Sequence, residues 1–156
     1  MAQEQDGTLL QRRSSLLSAA TAFCNAFASQ EDPSHILSSH FSAAHADDII
    51  VEEHGLQQLA PFLGRQFRGK DGVRSYFDLI ARCLTYSDMR FSNYFVDPVT
   101  NQVSVRGQAT FTWTSTRQSW DEVFTYVLDF DEEFKVVKYE IWADSGAAYL
   151  ASKGQL

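Results

Sequence analysis

Glu52, Glu53 and His54 close a short apolar run, Ile49-Ile50-Val51. A strand alternates its faces with a period of two. Ile49, Val51 and Glu53 then share one side, and Ile50, Glu52 and His54 share the other. One of the two adjacent acids faces inward, and the strand alone does not say which. If Val51 lines an interior, so does Glu53. A carboxylate among apolar side chains loses hydration, its pKa rises, and it becomes a proton carrier near neutral pH. Proton transfer beside a carbonyl also needs a donor for the developing enolate oxygen. Tyr126, in a later strand-like run, shares the face of Phe124 and Leu128 and offers a hydroxyl. Glu53 as base and Tyr126 as acid or oxyanion donor make a coherent pair. His54 is a candidate auxiliary by adjacency, although alternation turns it away.

These groups need a frame, and the run from Gln102 to Ala143 supplies most of it. Val103, Val105, Ala109, Phe111 and Trp113 fall on one side of the first segment, with Ser104, Arg106, Thr110 and Thr112 on the other. The next segment puts Phe124, Tyr126, Leu128 and Phe130 on one face, and the last adds Tyr139 and Ile141. Three such strands make a twisted sheet with one aromatic face that must be covered. The predicted lining for a ligand is Val51, Phe111, Trp113, Phe124, Leu128, Tyr139 and Ile141, joined by Tyr76 from a helical stripe.

The cover precedes the sheet. Apolar spacing predicts helices over 8–29, 33–44 and 70–84, with Asp32-Pro33 as the start signal of the second. Strands are expected over 49–53 and 89–96, and a short helix over 145–152. Residues 1–7 read as a flexible start and 8–152 as one domain. Helices followed by antiparallel strands make an α+β layout.

Composition narrows the partners. The 156 residues carry a formal charge of −7, which excludes a partner needing a basic surface, nucleic acid or an anionic membrane. No apolar run reaches membrane-spanning length, and the polar opening has no signal pattern, so a cytoplasmic protein is expected. Cys24 and Cys83 read as free buried thiols. His35, His40 and His45 recur every five residues and scatter around a helix, so no metal site is expected. With no phosphate-cradling loop and no nucleophile elbow, no cofactor or serine chemistry is expected either.

Two motifs carry a family resemblance. One is Ala46-Asp-Asp-Ile-Ile-Val-Glu-Glu-His-Gly55 with Phe67-Arg-Gly-Lys-Asp-Gly-Val-Arg-Ser-Tyr-Phe77; the other is Phe130-Asp-Glu-Glu-Phe-Lys-Val-Val-Lys-Tyr-Glu-Ile-Trp142. Together they resemble the NTF2-like (cystatin-like) cone, and within it the SnoaL-like and ketosteroid-isomerase-like branch. The resemblance implies three N-terminal helices packed on a curved, mostly antiparallel sheet. It implies Glu53 as the general base, Tyr126 in place of the oxyanion-hole acid, and Asn25 near the position of a helix-one tyrosine. It also implies a homodimer joined through the outer sheet face.

The expected function is a small cofactor-free isomerase, cyclase or dehydratase using general acid–base chemistry. Its substrate would be a small apolar molecule, polycyclic and natural-product-like. Two alternatives share the fold: a non-catalytic binder of apolar ligands and a protein-interaction adaptor.

Overall fold

The computed structural model describes residues 2–156, with side chains from Asp6 onward. Ten elements follow in order: α1 (Ala2–Ala28), α2 (Pro33–His40), β1 (Ile50–His54), β2 (Gln66–Arg68), α3 (Gly69–Cys83), β3 (Leu84–Asp97), β4 (Gln102–Trp113), β5 (Ser119–Phe130), β6 (Val136–Trp142) and α4 (Ser145–Ser152). The strands form one sheet in the order β2-β1-β6-β5-β4-β3. Only the β1–β6 pair is parallel; the others are antiparallel.

The layout matches the α+β cone, with one refinement. Among the described residues helices number four: the three that cover the sheet and the short C-terminal one expected over 145–152. The refinement is a strand the sequence hid, β2, three residues long. The first helix begins at Ala2 rather than Thr8, so the flexible start expected for 1–7 falls partly outside the described side chains.

The helices bury defined stripes, and α2 starts for a local reason. Asp32 caps α2, its carboxylate accepting from Ser34 N at 2.8 Å, and Pro33 occupies the first turn. In α1 the buried positions Leu16, Ala20, Phe23, Cys24 and Phe27 recur at three and four residues and press onto the sheet. In α3 the stripe is Val73, Tyr76 and Phe77. Phe23 touches Phe27, Phe41 and Tyr139 edge-on at 5.1 to 5.7 Å, and so locks two helices to β6.

The curvature comes from β3. Its register slips between Ser87 and Arg90 and again between Ser92 and Phe95, with Asp88 and Asn93 at φ of 53° and 57°. Bulges of this kind bend a strand and tighten its twist, and β3 wraps against α1. Tyr86 donates to the Phe27 carbonyl at 2.8 Å, and Gln30 Nε2 to the Tyr86 carbonyl at 2.9 Å, fixing the contact.

Sheet register orders the interior into rows. Val51, Tyr139, Leu128 and Val103 form one row across β1, β6, β5 and β4. Glu53, Ile141, Tyr126 and Val105 form the next. Beyond them on β5 come Phe124, paired with Gly107, and then Glu122, paired with Ala109. Gly107 is there for space: a Cβ would collide with the Phe124 ring.

Candidate active site

Strand β1 settles which acid faces inward. Val51 and Glu53 are buried, while Ile50, Glu52 and His54 are partly exposed. On the outer side Glu52 accepts from Gln66 Nε2 at 3.0 Å. On the inner side Glu53 retains 8% of its exposure and borders a cavity of about 90 Å³. That cavity is lined chiefly by aromatic rings, with Asp144, Ser145 and Ala148 at the start of α4 also in its wall.

Among the described residues the Glu53 side chain has one hydrogen-bond partner. The Tyr76 hydroxyl, delivered by the buried stripe of α3, donates to Glu53 Oε2 at 2.8 Å. Burial pushes the Glu53 carboxyl up to about 7; the Tyr76 bond opposes the rise and the charge of Glu122 adds to it. Tyr76 itself is held well above its ordinary range by burial and by the Glu53 charge. It therefore stays a donor.

Tyr126 lies in the same sheet row as Glu53, two strands away, which is roughly 10 Å along the backbone spacing. It faces the same cavity. Its hydroxyl is hydrogen-bonded to that of Tyr139, and their rings meet edge-on at 4.8 Å. Burial raises both hydroxyls well above the usual range, keeping them protonated.

The structure also brings in a second carboxylate. Glu122 is buried beside Trp120 on the inner face of β5 and borders the same cavity. Its Oε1 accepts from the Asp144 backbone N–H at 2.8 Å and from Trp120 Nε1 at 3.3 Å. Burial raises its pKa, and those two donors pull against the rise. Sequence reasoning missed it, although the signal was there: the alternation through Phe124 and Tyr126, extended two residues back, lands on Glu122.

Not every expected site residue reaches the cavity. Glu53, Tyr126, Tyr76, Phe111, Phe124, Tyr139 and Ile141 all border it. Val51 and Leu128 do not: both are fully buried in the row behind, where the cone is solid. Trp113 packs toward Phe62, with ring centroids 6.3 Å apart, and takes no part in the lining. Asn25 is exposed on α1 between buried Cys24 and Ala26, so it points away from the interior. His54 lies on the outer face, where Nε2 meets Glu140 Oε2 at 2.8 Å and the ring stacks on Trp142 at 4.2 Å.

That outer group is the one place, among the described residues, with metal-ligand geometry. Atoms of Glu52, His54 and Glu140 lie within 4.8 Å of one another. Lys138 Nζ already sits 3.0 Å from Glu140 Oε1, supplying the positive charge a cation would bring. No helix among the described residues is long and apolar enough to cross a membrane.

Solved structures share this frame. An NTF2-like protein of unknown function from Burkholderia pseudomallei K96243 superposes with a TM-score of 0.72 at 15% identity, covering 88% of this chain and 96% of that one. The fold is that of the NTF2-like proteins. Two further matches are a provisionally named SnoaL-like polyketide cyclase from Jannaschia sp. CCS1 and the BvnE pinacolase of Penicillium brevicompactum. The first has a TM-score of 0.71 at 9% identity, covering 89% of this chain and 92% of that one. The second has a TM-score of 0.68 at 15% identity, covering 92% and 95%. No protein-family description and no curated protein matches the chain. The NTF2-like cone expected from the two motifs is therefore the observed fold. At these identities the likeness concerns the cone and not the chemistry inside it.

Proposed function

We propose that the protein is a small acid–base enzyme that moves a proton on a compact, largely apolar molecule bound in the cone. The observation that carries this is Glu53, a carboxyl buried in an aromatic cavity, held by Tyr76 and pushed up to about 7. A group poised there both accepts and releases a proton at neutral pH, the condition for efficient general acid–base catalysis. Tyr76 holds Oε2, and the proton is exchanged at Oε1. Tyr126, backed by Tyr139, is the second hydroxyl within the same walls.

The reaction class is an isomerisation, cyclisation or dehydration, in keeping with the cyclase and pinacolase names borne by proteins of this fold. The residues needed for proton transfer all belong to the chain, so no cofactor is invoked. Substrate size follows from the cavity. Its 90 Å³ is several waters' worth and less than the roughly 150 Å³ of an engineered cavity that admits benzene. A compact substrate fits as the walls stand, and a polycyclic one exceeds them.

The test is a panel of small cyclic unsaturated ketones and tertiary allylic alcohols, incubated in D2O and followed by NMR and mass spectrometry. At least one member is converted or deuterated, and Glu53→Gln slows that conversion roughly 10²- to 10⁴-fold. Conversion indifferent to Glu53→Gln, or none by the native protein, overturns the reading. A non-catalytic binder of the same fold is separated by the same variant, since its ligand affinity survives the change.

A further inference from the structure

The charges around the cavity all have one sign. Glu53, Glu122 and Asp144 border it, and among the described residues no lysine, arginine or histidine does. The rest of the wall is dominated by aromatic rings, with Phe27, Phe111, Trp120 and Phe124 among them. The chain as a whole carries −7, so the long-range field has the same sign. Nothing here can neutralise a bound phosphate, sulfate or carboxylate. An anion entering this space would lose its hydration and meet like charge, with neutral hydroxyl and indole donors but no cation to offset the cost. A cation would meet carboxylates and the negative faces of aromatic rings, both of which attract it.

Within the acid–base reading, on which this step rests, we infer that the cavity selects neutral or cationic molecules, excludes anionic ones, and stabilises positive charge as it develops. The two carboxyls divide the work. Glu53, tethered to a hydroxyl, donates its proton from Oε1 to a lone pair on a substrate oxygen. Glu53 is left as carboxylate and the substrate carries the positive charge. Glu122, fixed by the Asp144 amide and the Trp120 indole, faces that charge as carboxylate. When the rearranged or dehydrated product forms, a proton from the carbon next to the positive centre passes to Glu53. The electrons of that C–H bond become the new double bond, and the acid is restored. In the dehydration case the broken C–O bond leaves with both its electrons as water. Atoms and electrons balance without any oxidant or reductant. Glu122 is thus assigned as the residue that sets ligand charge.

Three compact probes of similar shape test the assignment: tetramethylammonium, tert-butanol and pivalate, each titrated at constant ionic strength. The Trp120 indole N–H resonance reports from inside the cavity. Tetramethylammonium is expected to shift that resonance saturably, with a Kd at least tenfold below that of pivalate. Glu122→Gln, which keeps an acceptor for both N–H donors, is expected to erase most of that advantage while leaving tert-butanol binding within about twofold. Pivalate binding as tightly as tetramethylammonium in the native protein sinks the charge assignment and leaves the acid–base reading intact. If the cation preference survives Glu122→Gln, the role given to Glu122 is wrong. If none of the three moves the Trp120 resonance, the cavity is not a ligand site and both readings fall together.

Discussion

At the residue scale, one carboxyl couples the site to the stability of the fold. Glu53 faces Tyr76 from α3, Tyr126 and Glu122 from β5, and Tyr139 from β6, none of them basic. Its pKa stands at about 7 when folded against 4.5 as a reference. Below 4.5 both folded and unfolded chains hold the proton, so Glu53 adds no pH dependence. Between 4.5 and about 7 the unfolded chain releases its proton while the folded chain keeps it, and stability falls as pH rises. Above that window both are ionised, and the accumulated loss is on the order of 3 kcal/mol. Urea unfolding at pH 5 and pH 8 should show the loss, and Glu53→Gln should flatten it. A slope unchanged by that substitution would place Glu53 in water. The carboxyl can also be followed directly by carbon-13 NMR. Removing the bond from Tyr76 in Tyr76→Phe should raise the Glu53 midpoint, and removing a neighbouring charge in Glu122→Gln should lower it.

At the scale of elements, what the sequence reveals depends on whether an element keeps its period. Strands β4, β5 and β6 alternate almost without fault, so their inner faces are legible from residues alone, and with them the common face of Glu53 and Tyr126. Strand β3 runs over Leu84–Asp97 rather than 89–96, because bulges at Asp88 and Asn93 break the alternation that would mark its start. With only three residues, β2 has too little length to show a period. On a helix each residue turns about 100°, so an offset of one or two residues decides between the buried face of α1 and exposed Asn25. Glu122 was readable but lay at the polar end of an aromatic run, Trp120-Asp-Glu-Val-Phe124. The docking of α4 beside the cavity was not readable, since it rests on long-range bonds such as Thr116 Oγ1 to the Ala151 carbonyl at 2.7 Å. The pairing of Gly107 with Phe124 gives this scale its own prediction. Gly107→Ala forces a Cβ into the Phe124 ring and should cost about 1–3 kcal/mol, the usual range for overpacking. Thermal unfolding measures it, and adding Phe124→Leu should recover much of the loss. If the second substitution only deepens the loss, the clash is not the cause.

At the scale of the whole molecule, the inner sheet face is consumed by the cone and its helices, leaving the outer face and the two sheet edges for association. The β3 edge is broken by its two bulges and β2 is short, so neither presents a long unpaired ladder. The outer face is different. Thr110 bonds Asp121 and Thr112 bonds Ser119, each at 2.7 Å, giving an internally satisfied polar field. Trp142, 44% exposed, stands in register with Thr125 on that face, and Val123, 54% exposed, lies two residues from Thr125. The stack of Trp142 on His54, held in turn by Glu140, fixes the indole in one orientation. A rigid exposed aromatic is a good anchor, because little side-chain freedom is lost when a partner covers it. We therefore expect a second copy of the chain to pack face to face over this surface, its own Trp142 related by a twofold axis. Sedimentation equilibrium should give twice the monomer mass for the native protein. Trp142→Glu should weaken association at least about thirtyfold, the scale of a 2 kcal/mol hot spot, without altering the Glu53 midpoint on the opposite side of the sheet. A native protein that sediments as a monomer at every concentration ends the proposal, as does a dimer indifferent to Trp142→Glu.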